Sequence, residues 1–187
     1  IILNYGADAA RLFILSDSPP EKDVQWSEEG ITSSFKFVQK LWNLNLKIIE
    51  EMNKDHPKDH DKEIAKYTNQ LIKKVTENLE NFSYNKIIAN LHEMYSFMSK
   101  ILNNHYSKNT LLENYKKILV LMSPVIPHLT NECLVMIESN QNLIWPKYDE
   151  KLIQDDEITI VIQINGKKRG LMKTKREINE DELFEKL

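Results

Sequence analysis

The chain has 187 residues, with 25 lysines and arginines against 28 aspartates and glutamates and a formal net charge of −3, so any nucleic-acid contact has to be local rather than the work of a global basic field. A single cysteine, Cys133, excludes an internal disulfide framework and a cysteine-rich zinc site, and points to a reducing compartment. No apolar run approaches the roughly 20 residues of a membrane span and no signal-peptide layout opens the chain, so a cytoplasmic protein without membrane contact is expected.

In chain order, residues 6–17 read as a short helix on Ala10, Phe13 and Ile14, stopped by Ser18-Pro19-Pro20. An extended connector follows to Trp26. Ser27 offers an N-cap oxygen, and Glu28 and Glu29 suit the positive end of a helix dipole. The stretch 28–54 is then the organising helix of the chain. Its apolar residues form two rows, Ile31-Phe35-Val38-Trp42-Leu46-Ile49 and Phe37-Leu41-Leu44-Ile48, a stripe wide enough to require neighbours on more than one side. Lys36, Lys40, Asn43, Lys47 and Lys54 fall on one line along its opposite edge, either a solvated face or a track for something anionic.

A charged loop over 55–62 leads to a helix over 62–80 on Ile64, Tyr67, Leu71, Val75 and Leu79. After a turn at 81–84, a helix over 85–103 carries Ile87, Ile88, Leu91, Met94, Tyr95, Met98 and Leu102. A further helix covers 111–122, and another starts near Pro124 or Pro127, where proline is tolerated in the first turn. Helical periodicity ends there. Residues 141–156 read as a loop in which Trp145 tucks against the bundle.

Ile158, Ile160, Ile162 and Ile164 alternate with Thr159, Val161 and Gln163, the period of a strand. Asn165-Gly166 is a strong hairpin signal, with the returning strand at 168–175. An isolated hairpin is marginal in water, so it should open a small α+β domain or lean on the bundle. A young amphipathic pattern at 180–187 and the absence of an initiator methionine are expected of a piece cut from a longer protein.

His56 and His60 with Asp55, Asp59 and Asp61 have the content of a metal cluster, but Pro57 breaks the one-face helical geometry such a site needs, and a solvated turn is the better reading. His92 and His128 have no orienting third partner, and core or capping roles suit them better than acid-base chemistry. Cys133, flanked by helical apolar positions, reads as a small buried side chain. No catalytic residue and no metal ligand is assigned. Asn165-Gly166-Lys167-Lys168-Arg169-Gly170 concentrates three cations between glycines, as suits close approach to a phosphate backbone or an ordinary soluble hairpin tip.

Tyr5-Gly6-Ala7-Asp8, Arg11-Leu12, Pro20-Glu21-Lys22-Asp23, Trp26 and Gly30 resemble, in order and spacing, the segment that follows the Lys-Met-Ser-Lys-Ser loop of bacterial-type leucyl-tRNA synthetases. Ser123-Pro124 with Pro127-His128-Leu129 resembles the family's A-P-x-x-P-H-L signature, and Trp145-Pro146 followed by residues 161–170 resembles its V-Q-V-N-G-K-x-R-G tail. One departure is clear. Lys36-Phe37-Val38-Gln39-Lys40-Leu41-Trp42 stands where the family has R-F-x-x-R-x-W, and lysine keeps the charge but loses the forked approach to phosphate.

The resemblance implies a mostly α fold, a class I synthetase anticodon-binding helical bundle followed by a β-hairpin and helix from a truncated small α+β domain. The implied organisation is the end of the stem-contact region and a connector over 1–27, the bundle over 28–140, a linker over 141–156, and the front of a C-terminal tRNA-binding domain over 157–187. It implies the tRNA-binding portion of an ATP-dependent leucine–tRNA ligase, monomeric, with tRNA-Leu and the upstream catalytic domain as partners. ATP and Mg²⁺ would serve the parent enzyme, and no cofactor is expected in this part, which should be inactive alone. Lys36, Lys40, Lys47, Lys167, Lys168 and Arg169 become candidate tRNA contacts. Two other readings stand beside it: the same region of a valyl, isoleucyl or methionyl enzyme, and a non-enzymatic helical scaffold for a protein partner.

Overall fold

The computed structural model describes residues 1–16, 22–54, 60–103, 106–137, 144–153, 157–164 and 167–175. The chain divides into two compact units, Ile1–Leu152 and Ile153–Leu187. The first is helical: α1 (Ile2–Tyr5), α2 (Ala7–Ser16), α3 (Glu28–Met52), α4 (Asp61–Glu80), α5 (Tyr84–Ile101), α6 (Lys108–Met122), α7 (Pro127–Ile137) and all but the last residue of α8 (Glu150–Ile153). The second contains the strands β1 (Glu157–Ile164) and β2 (Lys167–Lys175), paired antiparallel. The expected turn at Asn165-Gly166 and helix at 180–187 lie outside the described residues.

The long helix α3 starts where its cap chemistry says it should. Ser27 is extended, and its Oγ accepts the Gly30 N–H at 3.1 Å. The row Phe37-Leu41-Leu44-Ile48 is buried. The second row is not: Ile31 is buried, Phe35, Val38, Trp42 and Ile49 are half-buried, and Leu46 is 42% exposed. Its upper part packs under α2, with Phe35 and Val38 against Ala9, Phe13 and Ile31, while its lower part runs out toward solvent. With α2, α5, α6 and α7 all packed on it, α3 has the several-sided neighbourhood that a broad stripe demands.

Gly6 has φ +82°, a conformation that L side chains rarely adopt, and it separates α1 from α2. Gly30 answers a different need. A Cβ there would lie 2.9 Å from Phe13 Cδ2 and closer still to Cε2, and that ring is buried, with its edge against Trp26 at 5.2 Å between centroids. Gly30→Ala is therefore expected to destabilise the chain by about 1–3 kcal/mol through overpacking between α2 and α3. Chemical denaturation followed by circular dichroism checks this, and an unchanged midpoint would contradict it.

The α4–α5 turn closes with Phe82 at φ 51° and the Ser83 N–H on the Asn78 carbonyl at 2.8 Å. Asp61, at the start of α4, accepts from the Ser107 N–H (2.7 Å), Ser107 Oγ (2.6 Å) and Thr110 Oγ1 (2.9 Å), which fixes the N-terminus of α6 against that of α4. Trp145 packs against the core as the sequence suggests, its Nε1–H donating to Thr76 Oγ1 at 3.0 Å. The segment it belongs to is not wholly a loop. One turn, α8, forms behind Asp149, whose N–H reaches Asn69 Oδ1 at 2.7 Å.

In the hairpin, Ile162 pairs with Gly170 and Gln163 with Lys168, so Arg169 is an extra residue in β2, a bulge. Ile160, Ile162 and Met172 are partly covered and Thr174 is buried, whereas Val161 and Leu171, directly opposite each other, are 47% and 57% exposed. Among the described side chains, the alternation read from the isoleucines holds at Ile160 and Ile162.

Candidate nucleic-acid interface

The line of lysines on α3 is shorter than its spacing suggests. Lys54 donates to Glu51 at 2.7 Å and lies 3.3 Å from Glu50; these bonds raise its pKa and neutralise that end of the helix. Lys36, Lys40 and Lys47 are exposed, and none of the ion pairs among the described residues involves them. At steps of four and seven they stand on one face over about three turns, a track of unneutralised positive charge.

Beside this track α5 contributes a second feature. Ser33, Lys36, Phe37 and Lys40 of α3 and His92, Tyr95 and Ser96 of α5 line an open depression of about 390 Å³. Phe37, one residue along from Lys36, turns inward and is buried. Its ring lies flat against the His92 imidazole, with centroids 3.8 Å apart and planes 25° apart, and meets the edge of Tyr95 at 6.0 Å. His92 is therefore not the core or capping residue that its place beside the α5 stripe suggests. It is an exposed ring laid on a buried one. Burial, and then the Lys40 ammonium, hold its pKa below the ordinary imidazole value, so the neutral form predominates at neutral pH. Glu93, next along α5, faces Lys74 at 3.5 Å and accepts from Asn90.

The hairpin candidates belong to the second unit. Lys167 and Lys168 sit in β2 opposite Ile164 and Gln163, and Arg169, the bulge residue, is exposed. A bulge at this point re-aims one side chain without breaking the ladder on either side of it.

The remaining singled-out residues are structural. Cys133 is 1% exposed, and burial pushes its thiol up to about 12, far from a nucleophile's range. Next to it Tyr115 donates to Asn45 Oδ1 at 3.0 Å, a buried polar contact between α6 and α3 that no periodicity rule reveals. Among the described residues no group of three or more His, Cys, Asp or Glu could hold a metal. Asp55, His56 and Asp59 lie outside those residues, and His60 faces Glu63 at 3.5 Å.

His128 caps nothing itself. It is capped. Ile126 precedes Pro127 at the start of α7 and offers no side-chain oxygen, so the buried Asp8 of α2 takes that role: Oδ1 accepts the His128 N–H at 3.3 Å and meets His128 Nδ1 at 2.8 Å, and Oδ2 accepts the Leu129 N–H at 2.6 Å. One turn along α2, Arg11 donates Nε to the Val125 carbonyl (3.0 Å) and Nη2 to the Pro124 carbonyl (2.7 Å). Two motifs about 120 positions apart in sequence are thus halves of one clasp, which fixes α2 to the α6–α7 corner.

A family model described as "Anticodon-binding domain of tRNA ligase" matches residues 61–184. The leucine–tRNA ligase of Orientia tsutsugamushi is 42% identical over 174 residues, covering 89% of this chain and 20% of that protein. The leucine–tRNA ligase of Fervidobacterium nodosum is 34% identical over 195 residues, covering 98% of this chain and 24% of that protein. The chain thus spans about a fifth to a quarter of the length of the curated relatives it matches. Among solved structures, the AgnB2 LeuRS of Agrobacterium radiobacter K84, in a ternary complex with tRNA and LeuAMS, superposes with a TM-score of 0.84 at 22% identity, over 99% of this chain and 25% of that one. No described helix is long and apolar enough to cross a membrane.

Proposed function

This chain belongs to the anticodon-binding domain family of tRNA ligases, and we propose that it is the tRNA-docking part of a leucine–tRNA ligase, with the exposed Lys36-Lys40-Lys47 face of α3 as its principal phosphate track. The observation that carries this reading is the contrast along α3: three cations with no acidic partner among the described residues on one face, and a fourth, Lys54, already neutralised by Glu50 and Glu51. Lys167, Lys168 and Arg169 supply a second, smaller set of contacts. Leucine is favoured over valine, isoleucine or methionine because the relatives that match nearly the whole chain are leucine–tRNA ligases.

In the whole protein, ATP-dependent leucylation of tRNA-Leu belongs to an upstream catalytic region, which also binds ATP and Mg²⁺. No residue of this chain is assigned to either. The chain by itself does not aminoacylate, acts as a monomer and works in the cytoplasm. Lysines contacting phosphate fix register and orientation on the RNA rather than reading bases.

Six candidate cations on a chain of formal net charge −3 give binding that is weak and dominated by counterion release. Between about 50 and 200 mM salt, the affinity of this chain for tRNA-Leu should fall roughly a hundred- to a thousandfold. A titration at the two salt concentrations, with a non-cognate tRNA alongside, checks it. Absence of binding at the lower salt, with a protein partner co-purifying instead, would favour the scaffold reading.

A further inference from the structure

We infer that the depression between α3 and α5 is a nucleotide subsite, in which an unpaired base of the RNA stacks on the open face of His92 while its phosphate lies between Lys36 and Lys40. The inference rests on the phosphate track proposed for α3 and gives one place on it a defined occupant.

Three observations meet at this place. The imidazole of His92 has one face laid on Phe37 at 3.8 Å, is exposed, and lines the depression, with no second ring stacked on it among the described residues. The ring is not free to turn away at no cost, because Phe37 beneath it is buried and braced edge-on by Tyr95. The result is a fixed aromatic platform at the surface. Ordinary surface histidines do not have a buried ring holding them flat.

The platform also stands beside the right charges. Lys36 and Lys40 are one helical turn apart, with Phe37 between them in sequence, so both ammonium groups can reach one phosphate above the ring. Ser33 adds a hydroxyl at the rim of the depression, suited to a ribose or phosphate oxygen, whereas the Ser96 hydroxyl donates to the His92 carbonyl at 3.1 Å and is left to accept from a ribose hydroxyl. Because burial and Lys40 favour the neutral imidazole, His92 acts as a stacking surface and not as a third cation. Aromatic stacking beside a basic groove is how single-stranded nucleic acid is held without sequence preference, since every base presents a π-face. Such a contact suits a domain whose other contacts are to phosphate.

Two substitutions separate stacking from the other things a histidine can do. His92→Phe keeps a flat ring and removes the ring nitrogens, whereas His92→Leu keeps apolar bulk and removes the π-face. Their affinities for an in vitro-transcribed tRNA-Leu at about 50 mM salt are compared with wild type, with circular dichroism melting as the check that all three are folded. Stacking on one base corresponds to roughly a five- to hundredfold change in affinity. Binding by His92→Leu should be at least about fivefold weaker, with an unchanged salt slope, while His92→Phe stays within about twofold of wild type. Wild-type affinity in His92→Leu would overturn the subsite and leave the lysine track standing. Equal losses in both variants would assign His92 a polar contact and overturn stacking. No binding by wild type would remove the proposed function and the subsite together.

Discussion

Asp8→Ala is expected to lower the stability of the helical unit by about 3 kcal/mol, a large effect for a polar side chain. Asp8 is 6% exposed and accepts from both the His128 and Leu129 N–H groups, the second at 2.6 Å. These donors are in the first turn of α7, where no preceding helical turn offers them a carbonyl and Pro127 contributes no N–H of its own. An ordinary N-cap replaced by alanine costs about 1 kcal/mol. Here the cap is a carboxylate, it serves two donors, and the site is shielded from water that could replace it, so each donor left bare adds roughly another kcal/mol.

The same substitution also loosens Arg11, which sits one turn away on the same helix and holds the Pro124 and Val125 carbonyls. A fall in melting temperature of roughly 6–12 °C follows from 3 kcal/mol in a chain of this size. Asp8→Asn retains an acceptor oxygen and should lose only about half as much. Urea unfolding followed at the helical circular dichroism band measures both. A loss below about 0.5 kcal/mol for Asp8→Ala would mean that the clasp contributes little and that α7 is held by its apolar face alone.

Much of the fold was legible in the sequence because it is written in local rules. Ser27 and the acidic pair after it mark the start of α3, and the bundle helices expected at 62–80, 85–103 and 111–122 begin and end within about three residues of α4, α5 and α6. The isoleucine alternation places β1. What the sequence did not show has a common cause: the deciding partner is far away in the chain. Asp8 gives no sign of being a cap until α7 is brought 120 residues back to it. His92 lies beside an apolar stripe and reads as core until Phe37, from a helix 55 residues earlier, slides beneath its ring.

Gly30 is legible as a family mark, but its reason is the ring of Phe13. Lys54 is the exception, since Glu50 and Glu51 stand at the i−4 and i−3 positions that neutralise it and could have been read directly. Single-turn helices such as α1 and α8 carry too few residues for any periodicity to register.

The proposed path of RNA along one face of α3 is tested most directly by charge reversal. Lys36→Glu, Lys40→Glu and Lys47→Glu together remove the track without touching the core, since all three side chains are exposed. Each reversal changes the charge by two, so the formal net charge goes from −3 to −9 and general repulsion alone weakens binding. A control of equal charge is therefore needed. Lys62→Glu, Lys86→Glu and Lys108→Glu supply it, because these exposed lysines lie in the first turns of α4, α5 and α6, where glutamate is favourable to the helix dipole.

Affinity for tRNA-Leu is measured for both variants across a salt series. The track variant should bind about 30-fold or more weakly at about 0.1 M salt, with a log–log salt slope shallower by two to three, roughly one for each phosphate that the track no longer neutralises. The control should lose only a few-fold and keep the wild-type slope. Equal losses and equal slopes in the two variants would show that the α3 lysines act only through net charge and would contradict the account.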